Sequence, residues 1–298
     1  MSDLIQKLRF SIVRNYKIFF GITITFLCIG FGSMIMRGFN LGIDFTGGTI
    51  MDLYFQRPVK VVELREVMSA QGLGNSIIQL ANSDGESSPD VLIRTGIITE
   101  AKRREVVEAL KAKFGEYEIQ RIEQVDATVG GELIEQAVTA IVLSWVLMIA
   151  YISLRFEFRF AIAAILALIV DVSVTLSYFS LLQIELDSSF VAALLTVVGY
   201  SINSTIVVFD RIRENMKLRR RTETLSDMID NSIWQTMTRT FYTSLTSLFS
   251  VVAIFLWGGE TIRNFSFAML VGFSSGIYTS SLLAAPMWLF LRGKKAGD

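Results

Sequence analysis

Six long apolar runs punctuate the chain, and a polar stretch of nearly a hundred residues separates the first from the second. The first run, residues 18–36, has about the ~20 residues that a bilayer-spanning helix needs. It lacks the shorter core and A-x-A-like exit of a signal peptide, so it reads as a retained anchor. Five more runs follow at about 133–154, 160–181, 190–209, 239–257 and 265–291. The pattern predicts a polytopic α-helical membrane protein with six transmembrane helices.

Between the first two runs, residues 37–132 have the composition of a soluble domain. Residues 47–55 alternate as a strand. Residues 59–70, opening after Pro58, carry Val62, Leu64, Val67 and Met68 at helical spacing. Residues 76–81 and 91–95 read as strands around a Ser/Asp/Gly turn at 82–89. Thr99 is placed to cap a helix through Phe114, with Val106, Val107 and Leu110 on its apolar side. Residues 117–125 close the series with a last strand. The order β-α-β-β-α-β predicts a ferredoxin-like domain of α+β class, large enough to fold alone but only modestly stable. It carries no nucleophile–base pair, so a binding or moving part is the expectation rather than an enzyme.

Composition sharpens this. The chain is 52% hydrophobic and 19% charged, with a formal net charge of zero. Net charge therefore gives no sign of nucleic acid as a partner; the placement of charge says more. Lys7, Arg9, Arg14 and Lys17, then Arg155 and Arg159, then Arg211, Arg213, Lys217, Arg219, Arg220 and Arg221, and finally Arg292, Lys294 and Lys295 fall in alternate connections. The intervening loops hold Glu185 and Asp187, and Glu260 and Arg263. The positive-inside rule puts both termini, residues 1–17 and 292–298, in the cytoplasm and the polar domain outside. Within the basic linker 210–233, residues 218–234 read as an amphipathic helix lying on the inner surface. Leu225, Met228, Ile229 and Ile233 would face lipid, with a solvated basic turn as the alternative. The lone cysteine, Cys28, reads as inert packing.

No histidine is present, which excludes His triads, His metal ligands and His proton shuttles. No P-loop or dinucleotide fingerprint appears, and no metal or cofactor site is expected. The candidate chemistry lies inside the spans. Helical spacing places Thr196, Gly199, Asn203 and Asp210 on one stripe of the fourth span, and Ser201, Ser204, Thr205 and Val208 on another. Small residues and hydroxyls of this kind also serve plain helix packing. Asp171 falls near the centre of the third span, where a carboxylate costs roughly 3 kcal/mol on insertion scales. It should face the bundle and be paired or protonated. Arg239 begins the fifth span beneath a stripe of Thr243, Thr246 and Ser250. It reads as a snorkelling arginine, as the structural partner of Asp171, or as part of a polar relay through the bundle centre. The relay reading requires Asn203 and Arg239 to be gathered inside. Gly272 and Gly276, at GxxxG spacing in the last span, read as helix packing, and Pro286 as a kink.

These segments also carry a resemblance. LGIDFTGG (41–48, with Asp44, Gly47 and Gly48), RFEFRFAIAAILAL (155–168), GYSIN (199–203, with Gly199) followed by VVFDRIREN (207–215, with Asp210, Arg211 and Arg213), GGE (258–260) and the Gly/Ser-rich last span are together similar to SecF of the bacterial Sec translocase, over nearly the whole length. The resemblance implies half of an RND-type bundle in the cytoplasmic membrane. It implies pairing with a six-span SecD, work beside the SecYEG channel and a YajC-like accessory subunit, and contact with the emerging preprotein and with membrane lipids. It also implies use of the proton or sodium gradient in late export rather than an enzymatic reaction. Two positions depart from the family pattern: Ser204 stands where the family usually has Asp, and Val170 where it commonly has His. A serine cannot titrate, so the expected carrier is either the partner's carboxylate with Arg239 as counter-charge, or Asp171 in its place. The third reading is weak coupling by a mainly structural subunit. The first is favoured, and the relay candidates are Asp171, Asn203, Ser204 and Arg239. An RND-type exporter of lipids or small molecules is the alternative function. An intramembrane enzyme built on Ser201 or Ser204 lacks any histidine, and no membrane lysine lies nearby.

Overall fold

The computed structural model describes residues 10–81, 87–219, 223–259 and 262–293. Lys7, Arg9, Arg220, Arg221, Glu260, Lys294, Lys295 and residues 82–86 of the expected turn lie outside that set. The chain divides into two compact units, Leu41–Ala137 and the flanking stretches Met1–Asn40 and Val138–Asp298.

In the membrane unit, six helices are long and apolar enough to span a bilayer. They are α1 (Tyr16–Arg37), α4 (Ala127–Arg155), α5 (Phe158–Leu182), α6 (Ser188–Leu218), α7 (Leu225–Trp257) and a last span in three parts. That span comprises α8 (Arg263–Tyr278), a π-helical turn at Thr279–Leu283, and α9 (Ala284–Leu291). Pro286 explains the break. It has no N–H to give to residue 282, and its ring crowds that carbonyl, so the preceding turn widens instead of kinking sharply.

Small residues set the helix contacts. A Cβ on Gly30 would overlap the Ser177 side chain, and one on Gly272 would overlap Val197. One on Gly276 would press on Ser201 at 3.2 Å. Thus α1 meets α5, and α8 meets α6, at backbone-close range. At one end, Phe160 stacks on Trp288 with centroids 4.4 Å apart, and Phe209 packs at 4.9 Å.

Three expectations for this unit change. The linker after residue 209 is short, because α6 continues to Leu218 and α7 already begins at Leu225. The charged stretch stays helical because Arg, Glu, Lys and Leu are good helix formers, and Arg211 pairs with Glu214 one turn on. Leu225, Met228, Ile229 and Ile233 are buried in a cluster with Ile12 and Val13, rather than turned to lipid. Cys28 is exposed on this chain rather than packed.

In the other unit, four strands run β1 (Gly48–Lys60), β2 (Ile77–Ala81), β3 (Ser87–Thr95) and β4 (Tyr117–Val125). They are ordered β2-β3-β1-β4, with every neighbouring pair antiparallel. Met51, Leu53 and Phe55 on the central strand share one core with Leu64, Val67 and Met68 of α2 (Val61–Ala70) and Val106, Leu110 and Phe114 of α3 (Glu100–Phe114). Val62, expected on the apolar side of α2, is exposed. Thr99 Oγ1 accepts from the Lys102 N–H at 3.3 Å, capping α3. Pro58 falls inside β1, at a register irregularity between Tyr54 and Val59, where a missing ladder donor is tolerated.

Candidate functional site

Asp171 is fully buried near the middle of α5. Its Oδ2 accepts from Ser201 Oγ of α6 at 2.5 Å, and its Oδ1 accepts from Ser275 Oγ of α8 at 2.6 Å. Thr279 Oγ1, at the first residue of the π turn, reaches both oxygens at 2.9 and 3.0 Å. Among the described residues no Lys or Arg forms an ion pair with it. Three donors to a charged acceptor, at roughly 1.5–3 kcal/mol each, outweigh an insertion cost of roughly 3 kcal/mol. Among the described residues, the side chains that hold the carboxylate are hydroxyls. Each hydroxyl can also accept, so the cage can solvate either protonation state by rotating a proton.

The other relay candidates are elsewhere. Asn203, with Thr196, Gly199 and Asp210 of its stripe, is exposed on this chain, and so is Arg239. Neither is gathered inside the chain's own bundle, and Arg239 is not the ion partner of Asp171. The reason is geometric: α6 turns its Ser201, Thr205 and Val208 stripe to the interior, which leaves the Asn203 stripe outside. Ser204 is half-buried, and its Oγ lies 3.5 Å from the Tyr200 carbonyl oxygen.

The signature residues have structural duties. Gly47 (φ 71°) and Gly48 (φ 148°) both adopt backbone that favours glycine. A Cβ on Gly48 would also stand 2.7 Å from the Thr95 carbonyl oxygen. The pair turns the chain from the one-turn helix that carries Asp44 directly into the central strand. On α6, Arg211 donates to Gln235 of α7 at 2.5 Å and to Glu214 at 2.6 Å. Asn215 donates to Ser232 and Gln235 of α7 at 2.8 and 2.9 Å. Arg213 donates to the Arg155 carbonyl oxygen at the end of α4 at 3.0 Å, with its guanidinium over the Phe156 ring. The VVFDRIREN segment thus joins three spans at one end.

Two features escaped the sequence reading. Ser275 and Thr279 looked like packing residues of a Gly/Ser-rich span. Only their recurrence at i and i+4 marks one polar face, and nothing local points it at Asp171. Asp230, near the start of α7, accepts from the Ser11 hydroxyl and from the Val13 backbone N–H at 2.9 Å. Arg14 reaches Asp227 at 3.2 Å beside it. A carboxylate set among Leu225, Met228, Ile229 and Ile233 was the available signal.

Comparison with known proteins agrees on one family. The profile of the protein export membrane protein SecD/SecF C-terminal family matches residues 105–294, and that of the SecD/SecF GG motif matches residues 32–59. The chain is 62% identical over 288 residues to a protein translocase subunit SecF of Acidaminococcus fermentans, covering 96% of this chain and 98% of that one. It is 41% identical over 280 residues to a SecF of Vibrio alginolyticus, covering 94% and 89%. Among solved structures it is similar to SecDF from Thermus thermophilus, described as a translocon-associated membrane protein. There the TM-score is 0.86 at 33% identity, over 96% of this chain but 39% of the larger one. SecDF in a super-membrane-facing form matches with a TM-score of 0.70.

Proposed function

We propose, from the premise that this chain belongs to the SecF family of protein translocase subunits, that it joins a SecD-like partner and uses an ion gradient to promote late steps of preprotein export. The chain is a multi-pass membrane protein with a role in protein export. The partner, the gradient and the working residues are our reading. The SecDF match supports the partner: this chain spans 39% of that structure, which leaves room for a second half-bundle. We place the assembly in the cytoplasmic membrane beside the SecYEG channel and a YajC-like subunit, with both termini in the cytoplasm. Residues 37–132 would then meet the emerging chain outside. We take this domain as ferredoxin-like, and its antiparallel β2-β3-β1-β4 order with two helices on one core supports that.

One observation carries the ion-coupling reading: a carboxylate at mid-span, caged by hydroxyls from two other helical segments. A group of that kind in hydrocarbon marks an ion path more often than a packing contact. With Ser204 unable to titrate, Asp171 is the carboxylate this chain supplies. The exposed faces of Asn203 and Arg239 supply polar groups to a carboxylate on the partner. The test is pulse-chase export of a secreted preprotein, with and without a proton-gradient uncoupler. Asp171→Asn and Arg239→Ala are each expected to slow maturation severalfold, and to leave the residue insensitive to uncoupler, while the partner still copurifies. Wild-type kinetics and uncoupler sensitivity in both variants would leave a purely structural subunit.

A further inference from the structure

We propose that the hollow where α6 and α9 end and α7 begins is a binding site for the headgroup of an acidic phospholipid. It has a volume of about 280 Å³ and is lined by Met216, Lys217, Arg219, Leu225 and Arg292. Its cations come from three separate places: the last turn of α6, the connection to α7, and the first residue beyond α9. Among the described residues that line it there is no carboxylate. Among the described residues none of the three cations forms an ion pair. The acidic neighbours are engaged elsewhere, Glu214 by Arg211 and Glu223 by Asn231.

Two of the cations are also held in place. The Arg292 guanidinium lies over the Trp288 ring at 5.2 Å, with Nη1 3.0 Å from Met216 Sδ. Arg219 Nε donates to the Glu223 carbonyl oxygen at 2.8 Å. A planar guanidinium fixed by stacking presents its remaining N–H groups in the fork that suits a phosphodiester. Balancing of helix dipoles explains Lys217 or Arg292 singly. It does not explain Arg219, nor the convergence of all three on one concavity.

The occupant follows from charge and position. Two spanning helices end and a third begins here, and α6, at 31 residues, runs past the ~20 that cross hydrocarbon, which carries the hollow to the polar side of that boundary. Met216, only partly buried, gives the hollow an apolar wall, while the three cations meet a phosphate. Basic pockets between spans at this level suit anionic lipid headgroups. The inference stands apart from the ion-coupling reading and survives its failure.

The test is native mass spectrometry of the full chain in complex with its partner, in neutral detergent, titrated with phosphatidylglycerol or phosphatidylcholine. Wild type is expected to retain phosphatidylglycerol in preference to phosphatidylcholine, and the preference should weaken as salt rises. Combining Lys217→Gln, Arg219→Gln and Arg292→Gln is expected to lower the affinity for phosphatidylglycerol on the order of 100-fold, from a few-fold per basic residue. Lys60→Gln with Lys111→Gln, in the other unit, should leave retention unchanged. Three results would overturn the proposal: no phosphatidylglycerol preference in wild type, retention unaltered by the triple change, or displacement of the lipid by inorganic phosphate alone. The last would make the hollow a site for free anions. The wild-type comparison of the two lipids decides the matter even if the triple variant folds poorly.

Discussion

Asp171 and Arg239 are both ionisable residues within helices that span the bilayer, yet the fold treats them in opposite ways. Asp171 sits on α5, much of which is buried, and meets three hydroxyls. Arg239 sits on the largely unburied membrane stretch of α7 and is exposed on its own chain. A buried charge must be satisfied inside the chain or the chain does not fold. An outward charge can wait for a neighbour, or rest at the interface. The difference therefore separates what this chain satisfies within itself from what it leaves exposed. The same division runs through α6, where the Ser201 stripe serves the chain and the Asn203 stripe faces out.

That contrast can be broken most decisively at the cage. Asp171→Ala removes the acceptor of three buried hydroxyls and is expected to cost about 3 kcal/mol or more of stability. Asp171→Asn keeps an acceptor and should cost about 1 kcal/mol. Unfolding in detergent measures both, and near-equal small losses would show that the cage is dispensable to the fold. A second test acts through packing. Gly272→Val places side-chain atoms in the volume of Val197, and overpacking of this kind costs about 1–3 kcal/mol. The α6–α8 contact should loosen, lowering the midpoint of thermal unfolding; an unchanged midpoint would mean the two helices part easily. The smallest effect is expected at the outward residue. Arg239→Ala should shift the stability of the isolated chain by no more than about 0.5 kcal/mol, although export suffers. A large loss of stability would erase the distinction between the two residues.

The spans, the order of strands and helices in the other unit, and the Thr99 cap were legible in the sequence. Each depends on a run of about twenty apolar residues, on a local period, or on one residue beside a helix. The ends of α6 and α7 were not legible, because a charged helix extension and a charged linker have the same composition. Local propensity permits the helix, and contacts made across space, such as Arg211 with Gln235 and Asn215 with Ser232, add to it. The GG signature could be recognised by resemblance, but its reason could not. That reason is the Thr95 carbonyl oxygen, 47 residues away in sequence and 2.7 Å from where a Cβ would stand.

The sequence by itself determined that a carboxylate would lie at mid-depth in a six-span membrane protein, because hydrophobic length and the position of Asp171 within it are local properties. Only the tertiary structure decided which groups answer it. Ser201, Ser275 and Thr279 are 30, 104 and 108 residues from Asp171. They meet it because Gly272 and Gly276 let α8 lie close against α6, and because the π turn begins at Thr279. Hydrogen bonds depend on tenths of an ångström between helices, and that precision is set by packing rather than by any pattern along the chain.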